Sequence, residues 1–152
     1  MEIRTIGFAG HSAAGFFGLL RAERVGRLID VRLNNTGQLS GFAKRDDLRF
    51  FLDELCGAEY LHEPALLAPT GELLKAYRGG EITWGEYADR FEGLLVARRV
   101  ESELSPDLFG SASALLCSEH TADRCHRRLV VEYLGRHWGD VAPVHLPRAA
   151  AA

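Results

Sequence analysis

Short apolar runs alternate along the chain with segments whose apolar residues recur every three or four positions. Ile3 to Phe8 reads as a first strand, ending in a turn that carries Gly7 and Gly10. In the stretch SAAGFFGLLRAER, Phe16, Leu19 and Leu20 share one helical face, with Ser12 placed as N-cap. Val25 to Arg32 is a second strand, and LNNTGQLSGFA, rich in Asn, Gly and Ser, is a loop. KRDDLRFFLDELC repeats Leu48, Phe51, Leu52 and Leu55 at helical spacing. AEYLHEP is a short third strand that Pro64 terminates.

A helical pair follows. GELLKAYR closes at Gly79 and Gly80, and a second helix is expected from Trp84 to about Glu103, opened by the capping box of Thr83 and Glu86. SASALLCSE is the fourth strand. ADRCHRRLVVEYLGRHWG is a helix, with Thr121 expected as its N-cap and Gly139 at its stop. VAPVHL is the fifth strand.

Strands alternating with helices predict an α/β layered fold of Rossmann-like or flavodoxin-like type. Its sheet should be mostly parallel and five-stranded, flanked by helices, with a helical insertion between strands 3 and 4. No linker or repeat interrupts the pattern, so residues 1–147 are expected to form a single α/β domain, with 148–152 a disordered tail.

Ligands in such sheets bind outside the carboxyl ends of the strands, where helix N-termini converge and favour anions. The polar residues gather at those ends. The first loop holds Ser12; the second strand ends at Asp30 and Arg32; the third delivers Tyr60 and His62; the fourth ends at Cys117 and Glu119, with Arg124, Cys125, His126 and Arg127 just beyond. In the last helix, Cys125 and His126 extend the apolar stripe of Leu129, Val130, Tyr133, Leu134 and Trp138 to its N-terminal end, beneath the strand tips.

Composition adjusts this picture in three places. A chain of 152 residues buries about 70% of its unfolded surface and needs no metal or disulfide to fold. The net charge of −3 gives no global attraction for nucleic acid. Three cysteines without framework spacing point to a reducing, cytoplasmic setting, and neither a signal peptide nor an apolar run of membrane-spanning length is present.

Several chemistries compete for the polar residues. Arg32 and Arg127 could hold a phosphate or carboxylate through their forked donors. His126 would then be the acid or base, oriented by Glu119, with Cys117 and Cys125 lining the pocket floor. Cys117 also follows a buried strand and faces a helix start, as in rhodaneses and cysteine phosphatases. The loop CSEHTADR, however, lacks their glycines and sets Glu119 beside the thiol. Cys117, His120, Cys125 and His126 could ligate a metal or a haem, but C-x7-C-H is not the paired spacing of structural zinc sites. GFAGHSAAG matches neither the dinucleotide nor the nucleoside-triphosphate fingerprint, so no particular cofactor follows. Phe42, Lys44, Arg45 and Arg49 could form a nucleic-acid surface if Phe42 stood free beside the cations. Trp84 and Tyr87 read as core.

Together, TIGFAGHS, LIDVRLN, GFAKRDDLRFFLDELCGAEYLHEP, YRGGEITWGEYADRF and LLCSEHTADRCHRRLVVEYL resemble the family called domain of unknown function 488, over Thr5 to Leu146. The resemblance implies a small prokaryotic α/β domain without a settled activity. It marks Gly7, Ser12, Asp30, Arg32, Phe42, Lys44, Tyr60, His62, Pro64, Cys117, Glu119, Cys125, His126 and Arg127 as matches to recurrent motifs. The segment LNNTGQLSGFA departs from the Pro- and Arg-rich loops of relatives, which weakens a nucleic-acid role. The leading expectation is an anionic small ligand, a nucleotide or other phosphate, bound and acted on at the strand tips. A nucleic-acid accessory domain and thiol- or metal-dependent chemistry are the alternatives.

Overall fold

The computed structural model describes residues 1–148, apart from the side chains of Gln38 and Leu39. The last four positions of the expected tail lie outside the described residues, while Arg148 is tied to Glu23 and Glu2 by ion pairs. Five strands, β1 (Glu2–Gly7), β2 (Arg27–Asp30), β3 (Glu59–His62), β4 (Ser113–Cys117) and β5 (Ala142–His145), form one sheet in the order β3-β2-β4-β1-β5. Every pairing is parallel. The layered α/β fold with a helical insertion between β3 and β4 is therefore the one the alternating pattern predicts.

The connecting helices are α1 (Ala13–Ala22), α2 (Arg45–Cys56), α3 (Pro64–Leu67), α4 (Gly71–Arg78), α5 (Trp84–Ala97), α6 (Val100–Glu103) and α7 (His126–Trp138). Short 3-10 turns cover Gln38–Ala43 and Pro106–Phe109. No helix among the described residues is long and apolar enough to cross a membrane.

The pleat sends alternate residues of the central strand to opposite layers. Ala114 and Leu116 join Phe16, Leu20, Leu48 and Leu52 beneath α1 and α2. Leu115 and Cys117 join Phe91, Leu95, Val130 and Leu134 beneath α5 and α7. Both faces are covered, so β4 is apolar and buried throughout.

Two helix boundaries differ from the sequence reading. The segment expected as one helix to Glu103 breaks at Arg99, whose φ of 54° starts α6 in a new direction. The last helix starts at His126, with Cys125 rather than Thr121 in the N-cap position and no side-chain cap. Its preceding loop takes an irregular path because its carbonyls are held by a side chain from within the helix, Arg127, instead of continuing the helical ladder.

Strand order fixes where a ligand can reach the sheet. From β2 the chain crosses to β3 on one side, and from β4 it crosses to β5 on the other. The adjacent strands β2 and β4 are thus the topological switch point, and a crevice opens outside their carboxyl ends.

Candidate functional site

A cavity of about 400 Å³ occupies that crevice. Its floor is made by the residues that follow β2 and β4 and by the first residues of α7. Arg32, Glu119 and His126, expected around a shared hollow, all line it, as do Cys117 and Cys125. Its opposite wall comes from the insertion: Tyr77 and Arg78 at the end of α4, Trp84 and Tyr87 in the first turn of α5. Thr83 fixes that turn, its hydroxyl accepting from the Glu86 N–H while the Glu86 carboxylate accepts from the Thr83 N–H.

Arg32 is the most constrained polar group in the cavity. It is 2% exposed, and Asp30 is fully buried beside it. Nε and Nη2 of Arg32 donate to the two Asp30 oxygens at 2.8 and 2.7 Å, and Nη2 also donates to the Ala43 carbonyl at 2.8 Å. Asp30 additionally accepts from the Arg32 N–H, from Tyr60 at 2.6 Å and from Asn35. Burial opposes the charge on Arg32, yet the Asp30 bonds outweigh it and hold the guanidinium firmly protonated. The Phe8 ring lies 5.3 Å from the guanidinium carbon. After these contacts Nη1 is buried and has no protein partner. Leaving such a donor unpaired costs about 1–3 kcal/mol, more on a charged group.

Tyr60 and His62 act on this assembly from behind. Burial and the Asp30 carboxylate both push the Tyr60 phenol up, so it remains a donor. His62 Nε2 lies 2.7 Å from the Arg32 carbonyl. Neither side chain lines the cavity, and both position Asp30 and the Arg32 backbone.

A second cluster completes the floor. Cys117 Sγ lies 3.6 Å from His126 Nδ1 and 3.9 Å from Nε2, while Nε2 is 2.7 Å from the Val31 carbonyl. That carbonyl can only accept, so Nε2 carries a proton, while the Cys117 sulfur, nearly equidistant from the two ring nitrogens, faces the ring rather than the in-plane lone-pair direction of Nδ1. His126 is thus oriented by Val31 and not by Glu119, whose exposed carboxylate stands at the mouth. The neighbouring Cys125 thiol holds the Cys117 thiol below its ordinary value although burial pushes it up; the Ser118 N–H and the Arg127 charge add to the lowering. The Cys117 sulfur and burial push the Cys125 thiol well above its usual range.

The other expected site residues are placed elsewhere. Ser12 caps α1, accepting from the Gly15 N–H at 3.0 Å. Lys44 is the half-buried N-cap residue of α2 and does not line the cavity. Arg127 is fully buried, and its Nη1 and Nη2 donate to the carbonyls of Glu119 and His120. Its guanidinium secures the loop that precedes α7 rather than facing the cavity. Phe42 packs on Phe16 and Phe17, and Arg45 pairs with Asp46, so Phe42 does not stand free beside those cations.

The cavity wall in the insertion was not legible as a site. Trp84 and Tyr87 stack at 5.4 Å, and Tyr77 lies 4.8 Å from Tyr87. Their helical spacing is the signature of core residues, and Tyr87 is core as well. The only sequence signal was three aromatics within eleven residues of the segment that crosses over the strand tips.

A doubly wound parallel α/β domain with a ligand-sized hollow at its switch point defines the class. The chain belongs to the family described as domain of unknown function DUF488, whose model matches residues 12–134. Comparison with curated proteins found no match, and comparison with solved structures found none either.

Proposed function

We propose that the protein binds a small phosphate-bearing ligand, of the nucleoside monophosphate class, in the cavity between β2 and β4 and acts on it there. The observation that carries this reading is Nη1 of Arg32: a buried guanidinium donor, clamped by Asp30, left without a protein partner beside a cavity of about 400 Å³. An anionic oxygen supplies the missing acceptor and is bound by a group whose orientation is already fixed. Arg78 and Arg124 stand at the mouth without an ion-pair partner among the described residues, and they outnumber the single Glu119 carboxylate. The Tyr77–Trp84–Tyr87 wall gives a planar ring a surface to lie on. Cys117, His126 and Glu119 are the groups placed to act on the bound ligand.

The test is calorimetric titration of wild type and Arg32→Lys with inorganic phosphate and with adenosine 5′-monophosphate. Lysine keeps the charge but cannot satisfy Asp30 through a fork and present a third donor. The expected result is saturable binding of both probes, tighter for the nucleotide, weakened roughly tenfold or more in Arg32→Lys. Wild type that binds neither probe, or a folded Arg32→Lys that binds as tightly as wild type, overturns the reading.

A further inference from the structure

We infer that Cys117, Cys125 and His126 form a binding site for a single divalent metal ion of the zinc class, with its fourth coordination position opening on the cavity. The inference does not depend on the phosphate reading, which stands on Arg32, and it is tested with metal alone.

The geometry is that of a metal site before loading. One sulfur from each cysteine and one ring nitrogen of His126 all lie within 4.8 Å of one another. For metal–sulfur and metal–nitrogen bonds of about 2.3 and 2.0 Å, a tetrahedron has a sulfur-to-nitrogen edge of roughly 3.5 Å. Cys117 Sγ and His126 Nδ1 are 3.6 Å apart. That sulfur is also 3.9 Å from Nε2, so it faces the imidazole ring, and closing the set asks for a rotation of the His126 side chain that turns the Nδ1 lone pair towards the two sulfurs.

The surroundings match as well. A ligating histidine characteristically donates its other ring N–H to a carbonyl or carboxylate, which fixes the tautomer and aims the ligating lone pair. Here the Val31 carbonyl takes Nε2 at 2.7 Å, which leaves Nδ1 as the nitrogen to ligate. A metal-bound thiolate is steadied by a donor from outside the coordination shell, and Nη1 of Arg127 lies 3.5 Å from Cys125 Sγ. The three candidate ligands are 5%, 3% and 6% exposed, so water competes for few positions around the ion.

Two sulfurs and one nitrogen select a soft or borderline ion over magnesium or calcium. Three protein ligands leave a four-coordinate ion one open position, the arrangement of catalytic rather than structural zinc. All three residues line the cavity, so that position faces the space a ligand would occupy. Binding converts two thiols to thiolates and releases two protons to solvent for each ion taken up, with no change of oxidation state. The spacing C-x7-C-H hides the site from a motif search. Cys117 comes from a strand end, whereas Cys125 and His126 come from the helix start that packs over it.

The experiment is titration of the reduced, chelator-treated full chain with Co²⁺, followed by displacement with Zn²⁺. The expected result is one ion per chain, with a thiolate-to-cobalt charge-transfer band and intense visible bands of tetrahedral type, both abolished by one equivalent of Zn²⁺. Cys125→Ser should retain about half of the charge-transfer intensity, and His126→Ala should retain the band at weaker affinity. Cys56→Ser, which changes the one cysteine outside the cluster, should leave the spectrum unchanged. Wild type, shown to be folded by circular dichroism, that gives no charge-transfer band overturns the inference even if the variants fail to fold. A band that survives intact in Cys117→Ser or disappears in Cys56→Ser also overturns it. Phosphate titration of the metal-free protein reads the Arg32 proposal separately, so failure of one is distinguishable from failure of the other.

Discussion

Asp30 and Arg32, two residues apart at the end of β2, form a forked ion pair in which both carboxylate oxygens are used and both partners are buried. The pair is built from the chain's own continuation: Asp30 also accepts the backbone N–H of Arg32, which bends the segment back on itself. The carboxylate thus shapes the turn and aims the guanidinium at once. Removing its charge leaves a buried cation with a weaker partner. Asp30→Asn should cost about 3–5 kcal/mol in urea unfolding, the range for breaking one side of a buried pair. A cost below about 1 kcal/mol would mean that the pair does not hold the turn.

Gly7 sits where the loops after β1 and β4 touch. A Cβ there would lie 1.4 Å from the backbone carbonyl oxygen of Glu119, inside bonding distance, and 2.8 Å from the buried Arg127 Nη1. Gly7→Ala should cost about 3 kcal/mol or more, because the two loops must separate. Gly18, exposed in the middle of α1, meets nothing within 4 Å. Gly18→Ala should stabilise by roughly 0.5–1 kcal/mol through the backbone entropy of the unfolded chain. Thermal unfolding of the two variants side by side checks both signs.

The fold was legible because each strand is short, carries apolar residues and alternates with a segment of helical period. Both faces of β4 are buried, so five consecutive residues, Ser113 to Cys117, carry almost no polar atom. Part of the site was legible for a related reason: a buried strand can change to polar chemistry only at its tip, so Asp30, Arg32, Cys117 and His126 stood out. What these groups do to one another was not legible. Arg127 and Arg32 look alike in sequence, yet one secures a loop and the other, lining the cavity, keeps a buried donor without a protein partner. That difference depends on which carbonyls lie within reach after folding. The aromatic wall was hidden because Tyr77, Trp84 and Tyr87 serve the core and the cavity with the same periodicity.

The capping box at Thr83 and Glu86 starts α5 and so places Trp84 and Tyr87 in the cavity wall. Thr83→Ala removes the acceptor for the Glu86 N–H at 3.2 Å. A loss of about 1 kcal/mol in denaturant midpoint analysis is expected. Thr83→Ser keeps the hydroxyl and should be close to neutral. Equal losses in the two variants would show that the methyl group, not the cap, matters.

Glu23 joins the two ends of the chain. Hydrogen bonds from Arg148 hold its carboxyl below the usual range; burial opposes this, and Arg4 adds to the lowering. A group with a depressed folded-state pKa stabilises above its unfolded value and loses that contribution as the pH falls through the folded one. Wild type should therefore be more stable than Glu23→Gln at pH 7, and the gap should close on acidification below about pH 4.3. Salt should narrow the gap at pH 7, because Arg148 is half exposed. A difference that is constant from pH 7 to the acid limit would show that Glu23 acts by packing and not by charge.

Arg127 offers the sharpest contrast between two roles. It is fully buried; its Nη1 reaches the Glu119 carbonyl at 2.6 Å, its Nη2 the His120 carbonyl at 3.3 Å, and its Nε the Thr5 hydroxyl at 3.3 Å. Those contacts bind the β4–α7 loop to β1 and leave little of the fork for a ligand. Lysine delivers its charge from one atom and cannot span the two carbonyls. Arg127→Lys should lose about 2–3 kcal/mol of stability by leaving a buried acceptor unpaired. Its amide protons between Ser118 and Cys125 should exchange faster than those of the sheet, because the loop opens before the core does. Phosphate affinity should fall only as far as loop order falls, and low temperature should largely restore it. If Arg127 instead held the anion, the same variant would keep its stability and its exchange pattern while phosphate binding disappeared at every temperature. Denaturant unfolding and hydrogen exchange on one sample separate the two outcomes.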